Sequence, residues 1–229
     1  MEGLTAFFNT FKEFAPLLAE SSGQTLYMVL VSTAIAYLFG IPLGILVVIT
    51  APTSISPNKL VHEVLSWVIN VGRSIPFIIL LVALLPFTRS VVGTTIGATA
   101  TIVPLTVAAI PFVARMIEQS LLELDGGVVE MAQAMGANTR QIILKVFLPE
   151  CLPSIIRSVS ITIISLIGYS AMAGAVGGGG LGDLAIRYGY YRYQSDVMLM
   201  TIILLVIIVQ IIQMIGDSIS RKIDKRNIR

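Results

Sequence analysis

Long uncharged, apolar runs alternate along this chain with shorter polar segments. No charged residue occurs from Ser21 to Asn58, and three more uncharged runs cover Ser90–Ala114, Ser158–Gly182 and Val197–Gly216. A helix that crosses about 30 Å of hydrocarbon needs about 20 residues, because each residue adds about 1.5 Å. Each of the four runs is long enough for one such helix.

A fifth apolar stretch, Leu60–Phe87, contains Glu63 and Arg73 as its only full charges. None of the five stretches shows the strict polar–apolar alternation of a membrane β-strand, and a helix satisfies its own backbone groups within lipid. We therefore predict an all-α polytopic membrane protein with five transmembrane helices. The predicted spans are residues 23–50, 62–88, 91–114, 154–176 and 197–217.

The composition agrees with lipid as the main solvent. Apolar residues make up 55% of the chain and charged residues only 12%, whereas soluble domains carry about 25% charged residues. One cysteine and one histidine exclude a disulfide within the chain and a zinc site built from several of these residues. We expect no metal, no cofactor and no nucleic-acid partner. Gly40 and Gly44 have the spacing that allows two helices to approach closely.

The distribution of charge predicts how the chain is oriented. The segment 218–229 is a basic tail, and by the positive-inside rule we expect it to be cytoplasmic. Its basic residues are Arg221, Lys222, Lys225, Arg226 and Arg229. With five spans, the N-terminal arm, residues 1–20, is then extracytoplasmic, and residues 21–217 form the membrane domain.

A polar segment between the third and fourth predicted spans, residues 118–149, is called the interhelical loop below. Its apolar residues recur at helical spacing: Leu121, Leu122, Leu124, Val128, Val129, Ala132 and Met135. We expect Gly136 to end this amphipathic helix. Asn138 can cap a second helix, with Gln141 in the reciprocal position, and we expect Pro149 to end it. The loop is thus predicted to be a cytoplasmic helix-turn-helix.

The loop also carries a recognisable motif. Residues 130–136 read Glu-Met-Ala-Gln-Ala-Met-Gly, and nine residues later the chain reads Val146-Phe147-Leu148-Pro149. This arrangement resembles the EAA loop of ABC-importer permeases: Glu-Ala-Ala, three residues, Gly, nine residues, then Ile-x-Leu-Pro. Met131 replaces an alanine of the pattern, and Val146 replaces its isoleucine.

Other stretches extend the resemblance over nearly the whole chain. Residues 73–77 resemble part of the second span of amino-acid permeases in this superfamily. Residues 168–182 and 188–190 look most like its methionine permeases.

The resemblance implies a permease subunit in the bacterial cytoplasmic membrane that translocates methionine by alternating access. The expected cargo is L-methionine, and whether D-methionine is also carried stays open. It also implies two copies of an ABC ATPase, a second copy of this chain, an extracytoplasmic binding protein and surrounding lipid as partners. The residues implied to couple the permease to the ATPase are Glu130, Ala132, Gly136, Leu148 and Pro149. The chain itself is not expected to be an enzyme, because the glycine run 177–180 lacks the Gly-Lys-Ser/Thr of a phosphate-binding loop. That run is expected to allow close helix packing and a flexible exit from the fourth span.

Three residues are candidates for the translocation pathway. Arg73 is a charge within a predicted span, where charges are costly and often functional, although it can also extend to the headgroups or pair with Glu63. Met172 is a bulky, flexible side chain among small ones, next to Ser170. It can close a narrow path, or it can simply fill a gap between helices.

Two further features of the sequence leave alternatives open. Arg187, Arg192 and the tyrosines at 188, 190, 191 and 193 can form an aromatic belt at the membrane surface or a docking surface for the binding protein. The cargo can be another amino acid or a quaternary amine. A secondary transporter and a membrane scaffold are the alternatives from other functional classes, but no acidic residue for ion coupling lies deep in the four uncharged runs.

Overall fold

The computed structural model describes residues 2–223, with side chains from Thr10 onward. Within this range the chain forms α-helices and two π-helical turns, Ile143–Phe147 and Ala185–Tyr190, and contains no β-strand, which confirms the all-α prediction. The α-helices are α1 (Glu2–Ile49), α2 (Lys59–Ser74), α3 (Phe77–Ala83), α4 (Leu85–Val92), α5 (Ala98–Leu122), α6 (Gly126–Ala134), α7 (Thr139–Ile142), α8 (Leu148–Gly174), α9 (Gly180–Leu184) and α10 (Ser195–Ile223).

Four helical stretches of the described chain are long and apolar enough to cross a membrane. They are Thr10–Thr50 in α1, Ala98–Leu122, Thr139–Gly174 and Ser195–Ile223. Helices α2 and α3 pass the same test only as a bent pair, so the number of spans is five when that pair counts as one.

The predicted span 62–88 is therefore wrong as a single helix. Helix α2 ends at Ser74, α3 begins at Phe77, and their axes differ by 98°. The cause is Pro76, which lacks an N–H group and disfavours helical backbone at the preceding residue. Ile75 accordingly adopts an extended conformation, with φ −81° and ψ 121°.

The third span also begins later than predicted, at Ala98 rather than at residue 91. Gly93 and Gly97 have φ angles of 84° and 96°, which a right-handed helix does not allow. The predicted N-terminal arm, in contrast, continues into the first span without interruption, because residues 2–49 form one helix. Of the basic tail, Arg221 and Lys222 lie in the last turn of α10. Lys225, Arg226 and Arg229 lie outside the described residues.

The chain folds into two compact units. The first consists of residues 1–34, 76–107 and 163–213. Its buried core joins α1, α9 and α10 through the side chains of Phe14, Leu18, Leu181, Leu184, Val197 and Met200. A hydrogen bond from Ser32 Oγ to the carbonyl of Ile102 (3.3 Å) links α1 to α5 within this unit.

The second unit consists of residues 35–75, 108–162 and 214–229. In it α1 packs closely on α5, since a Cβ atom at Gly44 would lie 2.6 Å from the carbonyl oxygen of Ala114. This contact confirms the close approach expected from Gly40 and Gly44. Tyr37 Oη lies 2.8 Å from Ser158 Oγ, so that α1 is also hydrogen-bonded to α8.

Candidate functional site

The interhelical loop folds largely as its local sequence predicts. The side chain of Asp125 accepts a hydrogen bond from the N–H of Gly127 (2.9 Å) at the start of α6. Gly136 follows the end of α6 with φ 79°, a left-handed conformation that glycine adopts without strain. Asn138 and Gln141 form the predicted reciprocal cap at α7, with hydrogen bonds of 2.9 and 2.8 Å.

The prediction that Pro149 ends the second helix is wrong. Helix α7 continues through the π-helical turn 143–147 into α8, and Pro149 is the second residue of α8. In the π-helical turn the N–H of Leu148 bonds to the carbonyl of Ile143, five residues earlier. Since proline is tolerated in the first turn of an α-helix, this irregular turn lets the chain pass through Pro149 into the fourth span.

The candidate coupling residues lie on both faces of the loop. Ala132 is buried, Leu148 is partly buried, and Glu130, Gly136 and Pro149 are exposed. The loop also exposes two methionines: Met131, which replaces an alanine of the motif, is 57% exposed, and Met135 is 74% exposed. These two residues are four positions apart on adjoining turns and form an apolar patch beside Glu130.

A groove of about 350 Å³ runs along the loop on the side of Glu130. Its lining includes Glu130 and Gln133 of α6 and the segment after α1, with Ala51, Thr53, Ser54 and Ile55. Sequence reasoning missed this second part of the lining. Its only local signal is the turn-forming composition of Ala51-Pro52-Thr53-Ser54, which indicates a turn but not what the turn faces.

The candidate pathway residues differ in their surroundings. Ser170 is 1% exposed and donates a hydrogen bond to the carbonyl of Ile167 (2.8 Å), whereas Met172 is 51% exposed. The two side chains therefore point to different sides of α8. Arg73 belongs to the other compact unit and lies exposed in the last turn of α2, where a positive charge interacts favourably with the helix dipole. Glu63 forms its ion pair with Lys59 (3.8 Å), not with Arg73.

The glycine run after α8 is a packed junction in the first unit, which confirms close packing. A Cβ atom at Gly178 would lie 2.8 Å from the carbonyl oxygen of Ala173, and just after the run a Cβ atom at Gly182 would lie 2.5 Å from the Cα atom of Ala171. The expected flexible exit is not what the structure shows, because the run is hydrogen-bonded to neighbouring helices.

Two helices hold this segment, residues 174–182, which we call the glycine segment. From α1, Gln24 Oε1 accepts a hydrogen bond from the N–H of Gly180 (2.9 Å), and Thr25 Oγ1 accepts one from the N–H of Leu181 (2.9 Å). From the start of α5, Thr101 Oγ1 lies 3.0 Å from the carbonyl of Gly178. Sequence reasoning did not single out Gln24, Thr25 or Thr101, because each is an ordinary polar residue within a helix.

The tyrosine-rich segment before α10 is anchored at one residue and exposed at three others. The ring of Tyr188 packs edge-on against Phe14 (5.2 Å between centroids), and the guanidinium group of Arg192 lies 4.5 Å from the Tyr188 centroid. Tyr190, Tyr191 and Tyr193 are exposed, and Tyr193 has a φ of 56°, which is rare for a residue other than glycine. The three exposed tyrosines therefore follow a residue, Tyr188, that is held in place by its contacts with Phe14 and Arg192.

Comparison with known proteins places these features in a family. Residues 18–229 match the family described as "Binding-protein-dependent transport system inner membrane component". A relative from Vibrio cholerae, called a probable D-methionine transport system permease protein MetI, is 52% identical over 223 residues, which cover 96% of this chain and 99% of the relative. The methionine import system permease protein MetP of Bacillus subtilis is 46% identical over 181 residues, which cover 79% of this chain and 82% of the relative.

Solved structures agree with the sequence comparison. A chain from inward-facing conformations of the MetNI methionine ABC transporter superimposes with a TM-score of 0.92 at 48% identity, covering 93% of this chain and 99% of that one. A chain of an amino acid ABC transporter with histidines shares the fold alone, with a TM-score of 0.78 at 19% identity. Together with the long apolar helices, the family match identifies a multi-pass inner-membrane protein. The chain belongs to the family of inner-membrane components, or permeases, of binding-protein-dependent transport systems.

Proposed function

We propose that this chain is the permease subunit of an ATP-driven importer whose cargo is methionine. The observation that carries the proposal is the agreement with proteins named as methionine permeases, at 52% identity over 96% of the chain and at 46% identity over 79% of it. The cargo includes both the L- and the D-form. A permease for another amino acid or a quaternary amine is the nearest alternative, since few side chains distinguish such cargoes.

The interhelical loop is the proposed contact with a separate ATPase subunit. It combines the acidic side chain of Glu130 with the exposed apolar patch of Met131 and Met135, and the groove beside Glu130 can admit a side chain of a partner. The reciprocal cap at Asn138 and the bend at Gly136 hold the loop in a defined shape before the partner arrives, which lowers the entropic cost of binding. The proposed assembly contains two copies of this chain and two of the ATPase.

Transport is proposed to proceed by alternating access. Binding of ATP to the ATPase pair would move the interhelical loop, and the loop would shift the permease between inward- and outward-facing states. The chain supports this transmission because the loop leads into the fourth span through continuous helix: the π-helical turn joins α7 directly to α8. Met172, exposed near the far end of α8, is the proposed pathway residue on the same helix.

The proposed orientation places the interhelical loop and the C-terminus in the cytoplasm and the N-terminus outside. The tyrosine-rich segment then lies on the outer side, where it is the proposed docking surface for the binding protein. Tyrosine and arginine are enriched in protein interfaces, and the fixed position of Tyr188 beneath Arg192 provides a preorganised surface.

The decisive experiment measures uptake of labelled methionine into proteoliposomes that hold this chain, its ATPase and its binding protein. We expect uptake that requires ATP and all three proteins and that unlabelled L- and D-methionine both reduce. An ATP-dependent complex that transports no methionine would disprove the cargo and retain the importer. Uptake by this chain alone would disprove the importer itself.

A charge reversal tests the proposed contact with the ATPase. Glu130→Arg should abolish copurification of the ATPase while the permease still inserts into the membrane. Glu63→Arg, an exposed position on α2 outside the loop, serves as the matched control and should retain the ATPase. Equal recovery of the ATPase with both variants would refute the contact.

A further inference from the structure

The hydroxyl group of Thr88 is buried without a hydrogen-bond partner among the residues that the structure describes. Thr88 lies in α4 and is only 2% exposed, so bulk water does not reach it. Nearly all buried polar groups in folded proteins are paired with protein atoms or with ordered water, because an unpaired buried group loses its hydration without compensation. The environment of Thr88 therefore needs an explanation.

Thr88 lines a small cavity within the first unit. The cavity has a volume of about 10 Å³, and its polar lining comes from Thr88, Thr95, Thr101 and the backbone of Gly178. A single water molecule needs a space of about 10–15 Å³ on this measure, together with two to four polar partners. The cavity meets the lower limit of size and offers enough polar groups.

The hydrogen-bonding roles of these groups are complementary to those of a water molecule. Thr101 Oγ1 lies 3.0 Å from the carbonyls of Gly97 and Gly178, so its single hydrogen is engaged there and its lone pairs remain as acceptors. Thr88 Oγ1 has both a hydrogen to donate and lone pairs to accept. A water molecule can accept from Thr88 and donate to Thr101.

We propose that this cavity is a binding site for one ordered water molecule, which bridges Thr88 to Thr101 and the glycine segment. The glycine segment is held from α1 by Gln24 and Thr25 and from α5 by Thr101. The water adds α4 to this set of attachments. It thereby links the chain that follows the break at Pro76 to the junction after α8.

A sodium ion is the other small ligand that such oxygen atoms bind, and the charge of the site disfavours it. Among the residues that the structure describes, no aspartate or glutamate lines the cavity. A buried cation without an opposite charge is far more costly than a neutral water molecule in the same place. The neutral lining therefore fits water.

Thr106 provides a matched control in the same unit. Its hydroxyl group is also buried and without a partner among the described residues, but Thr106 is not among the residues that line this cavity. Replacing a hydroxyl that lacks any partner with the methyl group of valine removes an unpaired group and should not reduce stability. Replacing a hydroxyl that binds water removes a hydrogen bond and should reduce it.

The first test compares the thermal unfolding midpoints of Thr88→Val, Thr88→Ser and Thr106→Val in the full chain purified with its ATPase. We expect Thr88→Val to lower the midpoint by about 2–4 °C, the size of shift that loss of one hydrogen bond gives in a chain of this length. Thr88→Ser, which keeps the hydroxyl, should lower it less, and Thr106→Val should leave it unchanged or raise it. A Thr88→Val protein as stable as the wild type would overturn the proposal.

The second test is direct and does not depend on how the variants fold. A structure of the complex at a resolution that reveals other buried waters should show a density peak within hydrogen-bonding distance of Thr88 Oγ1. Absence of that peak would overturn the proposal. Replacing sodium with choline in the unfolding assay should not change the wild-type midpoint, and a loss of stability that depends on Thr88 would assign the site to a cation instead.

Discussion

The ring of Phe77 lies parallel to the ring of Tyr169, with centroids 4.7 Å apart and ring planes 6° apart. Phe77 is the first residue of α3, immediately after the break at Pro76, and Tyr169 lies on α8 three positions before Met172. The stack therefore fixes the start of α3 against the part of α8 that carries the candidate pathway residue. A proline break alone does not determine where the following helix goes, and the stack ties the first residue of α3 to α8.

Removing this stack should weaken both stability and transport. Phe77→Ala should lower the unfolding midpoint and the rate of methionine uptake, whereas Tyr169→Phe, which keeps the ring, should change neither by much. A double-mutant cycle with Phe77→Ala and Tyr169→Ala should give a coupling energy of about 0.5–1.5 kcal/mol, typical of aromatic pairs. A coupling energy near zero would show that the two rings do not stabilise each other.

Shortening Met172 should change transport without destabilising the protein. Its side chain is half exposed, so Met172→Ala removes little packing. Because a shorter side chain would no longer close the pathway, the variant should raise basal ATPase activity or alter the uptake rate. Met214→Ala is the matched control, since Met214 is also exposed but lies on α10. Both activities are measured in proteoliposomes. If Met172→Ala leaves uptake and basal ATPase activity at wild-type values, Met172 is not a pathway residue.

Adding one methyl group to the glycine segment should disrupt folding. The new Cβ atom of Gly182→Ala would lie 2.5 Å from the Cα atom of Ala171, and backbone cannot move aside as a flexible side chain does. The expected loss is at least the 1–3 kcal/mol typical of overpacking, seen as a lower unfolding midpoint and a lower yield of monodisperse protein. Gly168→Ala, on α8 with no described residue within 4 Å of its Cβ position, should behave as wild type. Similar behaviour of the two variants would contradict the close packing.

The backbone of Gly136, rather than the space around it, should limit which residues can replace it. Its φ is 79°, and no atom of the described chain lies within 4 Å of a Cβ atom placed there. Asparagine tolerates left-handed backbone and β-branched residues do not. Gly136→Asn should therefore retain the ATPase in copurification, and Gly136→Val should lose most of it. Retention of the ATPase by the valine variant would show that the bend between α6 and α7 is not needed for coupling.

The elements that were predicted well depend on residues close together in the sequence. A helix end at Gly136 and a reciprocal cap between Asn138 and Gln141 are completed within one helical turn, so the residues that make them are neighbours along the chain. The prediction for Pro149 was wrong because proline is tolerated in the first turn of a helix, and Pro149 is the second residue of α8. No local pattern predicted the π-helical turn that joins α7 to α8.

The sequence by itself determined that the chain is helical, that it crosses a membrane several times and that it carries the loop motif of its family. Length, apolarity and local capping decide these features, and each can be judged one segment at a time. Only the tertiary structure decided that Phe77 stacks on Tyr169 and that Gln24 binds Gly180, a residue 156 positions further along the chain. The physical reason is that a polar residue inside an apolar helix has many potential partners, and the packing of the whole unit selects one of them.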